Sequence, residues 1–291
     1  SSLVRTYKEH HLSVDPIDMP TKTDITYDVN FSFIKKYFSD KNFKGPVVTT
    51  VHDFTHERFW SGLRRQLNRT IINRAISRSD AIICVSKATK NDLLKYCSDI
   101  PESRIRVIYN GISDSYKPLS NMVKRKQVLY VGSRAAYKNF DLAVKTVSKM
   151  RDYCLVIVGG GNLSSSEKKL LNNLLPGNYE YKGTISNSSL NQEYNKSQFL
   201  IYPSSFEGFG IPVLEAMQAG CPVIAVNTSS LPEVCGAAGC LVDHATEQKF
   251  LDAANALLDD KFRHKVIEAG IQQAKKFSWD ETFFKTMEVY N

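Results

Sequence analysis

Two carboxylates and a few cations carry the chemistry that this chain can be read to perform. Glu207 stands in a loop broken by Gly208 and Gly210, and Glu215 follows eight positions later in the helix that Pro212 opens. The glycines keep the two from sharing one helix face. Both still reach the rim of one pocket, toward which the unsatisfied N–H groups of a helix N-terminus point. Such an end favours an anion, most often a phosphate. Taken alone, each Glu reads more simply, one as a solvated loop carboxylate and the other as a complement to the helix dipole. Arg134 and Lys138, four apart, occupy a strand-to-helix junction. A guanidinium and an ammonium there suit a diphosphate, although loop cations are usually just solvated. His52 follows the apolar run Val47–Val51, at the carboxyl end where open α/β sheets place ligands. By position it is equally a structural or capping histidine.

The stretch from Leu200 to Ala225 positions the two carboxylates. An apolar run ends at Tyr202 and Pro203, a polar turn follows, a helix runs from about Pro212 to Gln218, and Gly220 ends it. Cys221 to Val226 is a short buried-type strand. Ahead of this lie two series of strands alternating with helices. In the first, Ile25 to Phe31 alternates as a half-buried strand, a short helix runs to about Phe38, and strands cover 47–51, 81–85 and 105–108. Between them, Trp60, Leu63, Leu67, Ile71 and Ala75 recur at helical spacing through 58–77, and Ser86 caps a helix over 87–96. Residues 116–127, with Pro118 and a KRK cluster, read as a linker. In the second series, strands cover 128–132, 155–158 and 179–182, a helix covers 190–197, and helices over 246–258 and 261–276 form an outer layer. Ser164 stands where the third glycine of a dinucleotide fingerprint belongs, so Gly159 to Gly161 read as a tight turn.

With 291 residues, 42% of them hydrophobic, the chain is long enough for two domains. No apolar run reaches the roughly 20 residues of a membrane span, and the first residues lack a signal peptide's apolar segment. A cytoplasmic protein is expected. Six cysteines without a CxxC pair predict buried free thiols, not a zinc site or a disulfide framework. The net charge of +8 attracts some polyanion. Arg58, Arg64, Arg65, Arg69, Arg74 and Arg78 concentrate it in a stretch without acids. Either a solvated face backs an apolar stripe, or a basic helix with Trp60 docks on an anionic membrane surface. Nucleic acid is the weakest partner class, since no known motif or aromatic stacking platform accompanies the charge.

The ordered string from Glu207 to Ala216, EGFGIPVLEA, closely resembles the E-x7-E signature of retaining family 4 glycosyltransferases. SLPEVCGAAGCLVD, from Ser230 to Asp243, extends the match, with Ala237 where many relatives carry Asp. The resemblance implies an α/β GT-B fold of two Rossmann-like domains facing a cleft. The expected division is an acceptor-side domain over 1–115, a linker over 116–127, a nucleotide-sugar domain over 128–277, and a helix over 278–291 crossing back. It also implies roles: Glu207 and, through its similar VHD string, His52 at the donor sugar; Glu215 on the ribose; and the backbone of Gly208, Phe209, Gly210 and Ile211 on sugar hydroxyls and phosphate. GSRAAYKNF is similar to the family's phosphate-binding loop, which puts Gly132, Arg134 and Lys138 at the pyrophosphate, while Thr184 and Ile185 abut the base.

The implied reaction moves a hexose, mannose from GDP-mannose foremost, from a nucleoside diphosphate sugar to a lipid-linked or polysaccharide acceptor. Configuration is retained, and no metal or other cofactor is expected, in keeping with the lack of a DxD sequence. The rivals are a nucleotide-sugar epimerase or hydrolase of the same fold, and a non-catalytic membrane module with a relic site. The family's opening strand and glycine-rich loop are not found, so the N-terminal domain is expected to be incomplete at its start.

Overall fold

The computed structural model describes residues 46–97 and 99–290, and the backbone of 25–28. The short helix expected up to Phe38, and the end of the first strand pattern at Val29 to Phe31, lie outside the described residues. By its contacts the chain divides into two units, Ser1–Gly111 with Trp279–Asn291, and Ile112–Ser278.

The first unit holds a parallel sheet in the order β1 (Ile25–Asp28), β2 (Val47–Val51), β3 (Ala81–Cys84), β4 (Ile105–Val107). Short helix α1 (Thr55–Phe59) and α2 (Gly62–Ser77) link β2 to β3, and α3 (Lys87–Tyr96) follows β3. Ser86 caps α3 by accepting from the Thr89 amide. The single helix expected over 58–77 is broken between Phe59 and Gly62, which adopts φ +61°. Its packing face also differs from the expected stripe. Ile72 and Ile76 enter the core with Val51, Phe54, Ile82 and Leu93, whereas Leu63 and Leu67 remain 72% and 56% exposed. The reason lies in the arginines. Arg65 and Arg69 both turn to the buried Glu57, which fixes the rotation of α2 and leaves the leucine ridge outside.

The second unit is built on six parallel strands in the order β10-β9-β8-β5-β6-β7. In chain order these elements are β5 (Gln127–Val131), α4 (Phe140–Ser148), β6 (Cys154–Val158), α5 (Ser165–Leu174), β7 (Tyr179–Gly183), α6 (Asn187–Lys196) and β8 (Phe199–Tyr202). They continue with α7 (Ile211–Gln218), β9 (Val223–Val226), α8 (Leu231–Cys235), β10 (Cys240–Val242), α9 (Glu247–Ala256) and α10 (Asp260–Ala274). Strand β9 begins at Val223, not at the expected Cys221, because Pro222 cannot donate to the ladder. All five residues of the central strand β5 are buried, as a strand covered on both faces requires. Val128, Tyr130, Leu155, Ile157, Phe199 and Ile201 alternate into one core with Val144 and Val147 of α4, Leu171 of α5 and Phe250 of α9.

Residues read as linker lie along α6. Lys117 and Leu119 donate their amides to the Asn191 and Asn195 side chains at 3.0 and 2.8 Å. The final helix, α11 (Trp279–Tyr290), belongs to the first unit. Thr282 donates to the Tyr109 carbonyl at 2.7 Å, and Val289 and Tyr290 pack against Val48, Ile83 and Ile108.

Four of the six cysteines are buried and two half-buried, all as free thiols. Burial pushes the Cys84 thiol up to about 12 and that of Cys221 to about 11, which keeps them protonated and inert.

Candidate active site

Strand order reverses in the second sheet between β5 and β8: the chain leaves β5 toward β6 and β7 on one side and continues from β8 toward β9 and β10 on the other. Open α/β sheets bind ligands at such a switch point, outside the carboxyl ends of the strands. The loops that leave these two ends are 132–139 and 203–210, and they are stitched together. Asn139 donates to the Pro203 carbonyl at 2.8 Å, and Ser205 donates from its amide and its hydroxyl to the Tyr137 carbonyl at 2.8 and 3.0 Å.

Across this seam the Lys138 ammonium meets Glu207 Oε1 at 2.5 Å, with side chains 15% and 10% exposed. The hydroxyl of the buried Tyr202 also bonds the Glu207 carboxylate. Burial, with that carboxylate beside it, pushes Tyr202 far above the usual phenol range, so it remains a donor at any working pH. A third loop supports the segment from behind. The Glu207 amide donates to Ser229 Oγ at 2.9 Å, and Ser230 Oγ lies 3.0 and 2.9 Å from the carbonyls of Glu207 and Phe209. The loop then turns into α7 through Gly210 at φ +103°, where an added Cβ would come 3.0 Å from Leu231 Cδ2. A left-handed turn against a packed leucine admits only glycine at low cost. Pro212, second in α7, gives up no amide that the helix needs. Gly208 and Ile211 border this turn, while the Phe209 ring is buried edge-on to Phe277 at 5.8 Å, so only the backbone of Phe209 is offered to a ligand.

Glu215 lies in the second turn of α7 and receives the Tyr194 hydroxyl at Oε2, 2.9 Å away. Burial pushes its carboxyl above the usual range, and the hydroxyls of Tyr194 and Tyr116 offset only part of that rise.

Arg134, expected at the pyrophosphate, is bonded to the glycine turn after β6. Its side chain is 3% exposed, and Nε donates to Glu167 Oε1 at 2.8 Å. Nη1 donates to the Gly159 carbonyl at 2.8 Å, and Nη2 serves the carbonyls of Gly160, Gly161 and Asn162 at 3.1, 2.8 and 2.9 Å. The guanidinium thus clasps the glycine turn after β6. Burial pushes the Glu167 carboxyl up, but the Ser164 amide and hydroxyl and the Arg134 guanidinium outweigh it, so the group sits below the usual carboxylate range. Gly132 and Gly183 join the same turn: Gly132 donates to the Val158 carbonyl at 3.0 Å, and Gly159 donates to the Gly183 carbonyl at 2.8 Å. Thr184 and Ile185 follow at the rim, with Thr184 exposed.

The structure therefore brings Lys138, Glu207 and the start of α7 into one place, with Glu215 a turn further on. His52 belongs to the first unit, exposed at the carboxyl end of β2, with its carbonyl accepting from Thr89 Oγ1 at 3.3 Å. A groove of about 990 Å³ opens between the starts of α4, α5 and α9, and Lys138, Glu207 and Glu215 are absent from its wall. Tyr202, Ser229, Ser230, Tyr194 and Glu167 escaped sequence reasoning. Two signals were available: a tyrosine closing the apolar strand Phe199–Tyr202, and the capping-box spacing of Ser164 and Glu167. Among the described residues, no group of three or more His, Cys, Asp or Glu could hold a metal, and no helix is long and apolar enough to cross a membrane.

Residues 114–273 match the family described as Glycosyl transferases group 1, and residues 32–116 match Glycosyltransferase Family 4. Among curated proteins, the chain is similar to O-antigen chain mannosyltransferase B of Escherichia coli, 28% identical over 273 residues, which cover 84% of this chain and 69% of that protein. It is also similar to the serotype-specific mannosyltransferase WbdA of Escherichia coli, 24% identical over 227 residues, covering 70% of this chain and 28% of that one. Among solved structures, Anabaena Alr3699/HepE in complex with UDP and glucose gives a TM-score of 0.82 at 16% identity, covering 99% of this chain and 80% of that one. WaaG, a glycosyltransferase involved in lipopolysaccharide biosynthesis, gives 0.73 at 16%, covering 89% and 81%. Both structures share the fold of this chain.

Proposed function

Because the chain belongs to the group 1 glycosyl transferases and is a glycosyltransferase of GT-B fold, we propose that it moves a hexose from a nucleoside diphosphate sugar to a lipid-linked or polysaccharide acceptor with retention. Mannose from GDP-mannose is the first candidate donor, supported by the two mannosyltransferase relatives. The observation that carries the reading is the Lys138–Glu207 pair at the switch point, beside the N-terminus of α7. An ammonium and a helix N-terminus meet a diphosphate, and a carboxylate held by Lys138 and Tyr202 accepts from sugar hydroxyls.

In the reaction, the bond from the anomeric carbon to the diphosphate oxygen breaks with its electron pair passing to that oxygen. The acceptor oxygen bonds the anomeric carbon from the same face, and its proton passes to the departing phosphate. Negative charge grows on the leaving group, where Lys138 and the first amides of α7 counter it without a metal. The backbone from Gly208 to Ile211 and Gly132 line the sugar and pyrophosphate, Glu215 takes the ribose, and Thr184 and Ile185 border the base. Arg134 acts on the donor indirectly, by holding the glycine turn in shape.

The exposed leucines of α2 bear on the acceptor. Leu63 and Leu67, one turn apart, stand out among the arginines with Phe59, 47% exposed, close by in sequence. An apolar ridge rimmed by arginine suits the surface of an anionic bilayer, and a lipid-linked acceptor would be met there, on the cytoplasmic side.

The test is product analysis with GDP-mannose, UDP-glucose and dTDP-glucose, with EDTA present, with and without a lipid-linked glycan acceptor. Acceptor-dependent, EDTA-insensitive transfer whose product keeps the donor's anomeric configuration is expected. Donor consumption without acceptor would show a hydrolase or epimerase instead, and no turnover of any donor would show a relic site.

A further inference from the structure

Three elements of the second unit converge on Glu215. Tyr194 of α6 is completely buried and donates to Glu215 Oε2 at 2.9 Å, with the Pro212 carbonyl 3.3 Å from the same hydroxyl. Tyr116, 3% exposed in the segment before β5, bonds the same carboxylate, and its ring meets Tyr194 edge-on at 5.9 Å. Neither phenol is loosely held. The segment carrying Tyr116 is pinned to α6 at Asn191 and Asn195, and Tyr194 lies between those two asparagines in sequence.

The chemistry of this cluster is unusual for a buried carboxylate. Among the described residues, the titratable groups that act on it are these two phenols, with no Lys or Arg among them; the third titratable group acting on Tyr194 is the buried, protonated Cys221. A carboxyl buried without a cation drifts toward its protonated form, whereas O–H donors favour the ionised one. Both phenols are pushed up by burial and by Glu215 itself, so they donate throughout the working range and never compete as anions. An ionised carboxylate has about four acceptor positions, so two remain after the phenols. Two acceptors side by side are what the vicinal diol of a ribose needs.

We propose that Tyr194 and Tyr116 are positioning residues for nucleotide recognition, holding Glu215 ionised and turned so that it accepts both hydroxyls of the donor's ribose. This rests on the reading of Glu215 as the ribose ligand, and it adds what makes that ligand competent. A merely structural pair of tyrosines would contribute to stability and leave ribose selectivity alone.

The experiment is calorimetric titration of the full chain with GDP and UDP against their 2′,3′-dideoxy counterparts, from acid to neutral pH. The variants are Glu215→Gln, Tyr194→Phe and Tyr116→Phe, each checked by thermal melting. The wild type is expected to prefer the ribonucleotide by about a hundredfold, the scale of two hydrogen bonds to a charged group, and to lose that preference on acidification. Each Phe variant should cut the preference by roughly fivefold to tenfold and move the acid limb to higher pH, since a removed donor raises the carboxyl's pKa. Glu215→Gln should abolish both preference and limb. Tyr116→Phe keeps the test open should Tyr194→Phe fail to fold. A wild type that binds ribo- and dideoxynucleotides equally would refute the ribose reading itself. If the preference vanishes in Glu215→Gln yet survives in both Phe variants with the acid limb unmoved, the positioning role alone is overturned.

Discussion

Replacing Arg134 by alanine separates two roles that one guanidinium can have near a diphosphate. In the structure its guanidinium is engaged by the protein itself: Nε, Nη1 and Nη2 donate to Glu167 and to four successive carbonyls, Gly159 to Asn162, at 2.8 to 3.1 Å. Truncation leaves Glu167 without its cation and four carbonyls to find water. Breaking a buried pair by removing one partner costs about 3–5 kcal/mol. Glu167 is 18% exposed and keeps its bonds to Ser164, which argues for the lower end, about 3 kcal/mol. For a unit of this size the loss lowers Tm by about 6–12 °C. Arg134→Lys should recover less than half, since an ammonium cannot span the carboxylate and the turn at once.

The assay is thermal unfolding of both variants, alone and with saturating GDP or UDP. A lower Tm with the nucleotide-induced increment preserved is expected. Gly160→Ala supplies an internal check, because its Cβ would fall 2.5 Å from Arg134 Nη1 on a backbone at φ +78°. Combined with Arg134→Ala, it should cost less than the two changes apart, since each removes the same clasp. An Arg134→Ala protein that melts like the wild type but gains nothing from nucleotide would sink this reasoning and return the guanidinium to the pyrophosphate.

The remaining expectations follow from the same geometry. Glu207→Gln and Lys138→Ala should each lower kcat by about a hundredfold or more, as steady-state rates on the identified donor would show, and Lys138→Ala should also lower Tm, because it leaves the Glu207 carboxylate without its cation. Full turnover in Glu207→Gln would remove Glu207 from its role. Leu63→Glu with Leu67→Glu should abolish co-flotation with anionic vesicles while sparing transfer to a water-soluble acceptor; unaltered flotation would mean that α2 does not dock. Glu167 carries its stabilisation in full above about pH 4.5 and loses it as pH falls through its lowered folded value. Glu167→Gln should therefore flatten the acid limb of the stability curve there, and an unchanged limb in urea melts would show that the Arg134 contact contributes nothing.

What the sequence made legible was local. The loop from Pro203 to Gly210, the start of α7 and the run of β5 are written in proline, glycine and β-branched residues, whose backbone limits act on their own neighbours. What it hid was the choice of partner. The spacing of Arg134 and Lys138 told only that two cations share a junction. Which one reaches the seam was decided by Asn139 and Ala136 turning the chain so that Lys138 meets Glu207, sixty-nine residues away, while the turn after β6 draws in Arg134. The α2 stripe failed for a related reason. Its period was helical, but Glu57 captured Arg65 and Arg69 and rotated the leucines outward. A buried acid that commands two arginines outweighs an apolar pattern on a helix, because leaving that charge unpaired costs more than exposing two leucines. Charge pairing thus decided both the site's cations and the face of α2: the first pairing joins residues sixty-nine apart and lies beyond any local window, whereas Glu57 stands only eight residues before Arg65 and its capture of that arginine turns on the break before Gly62.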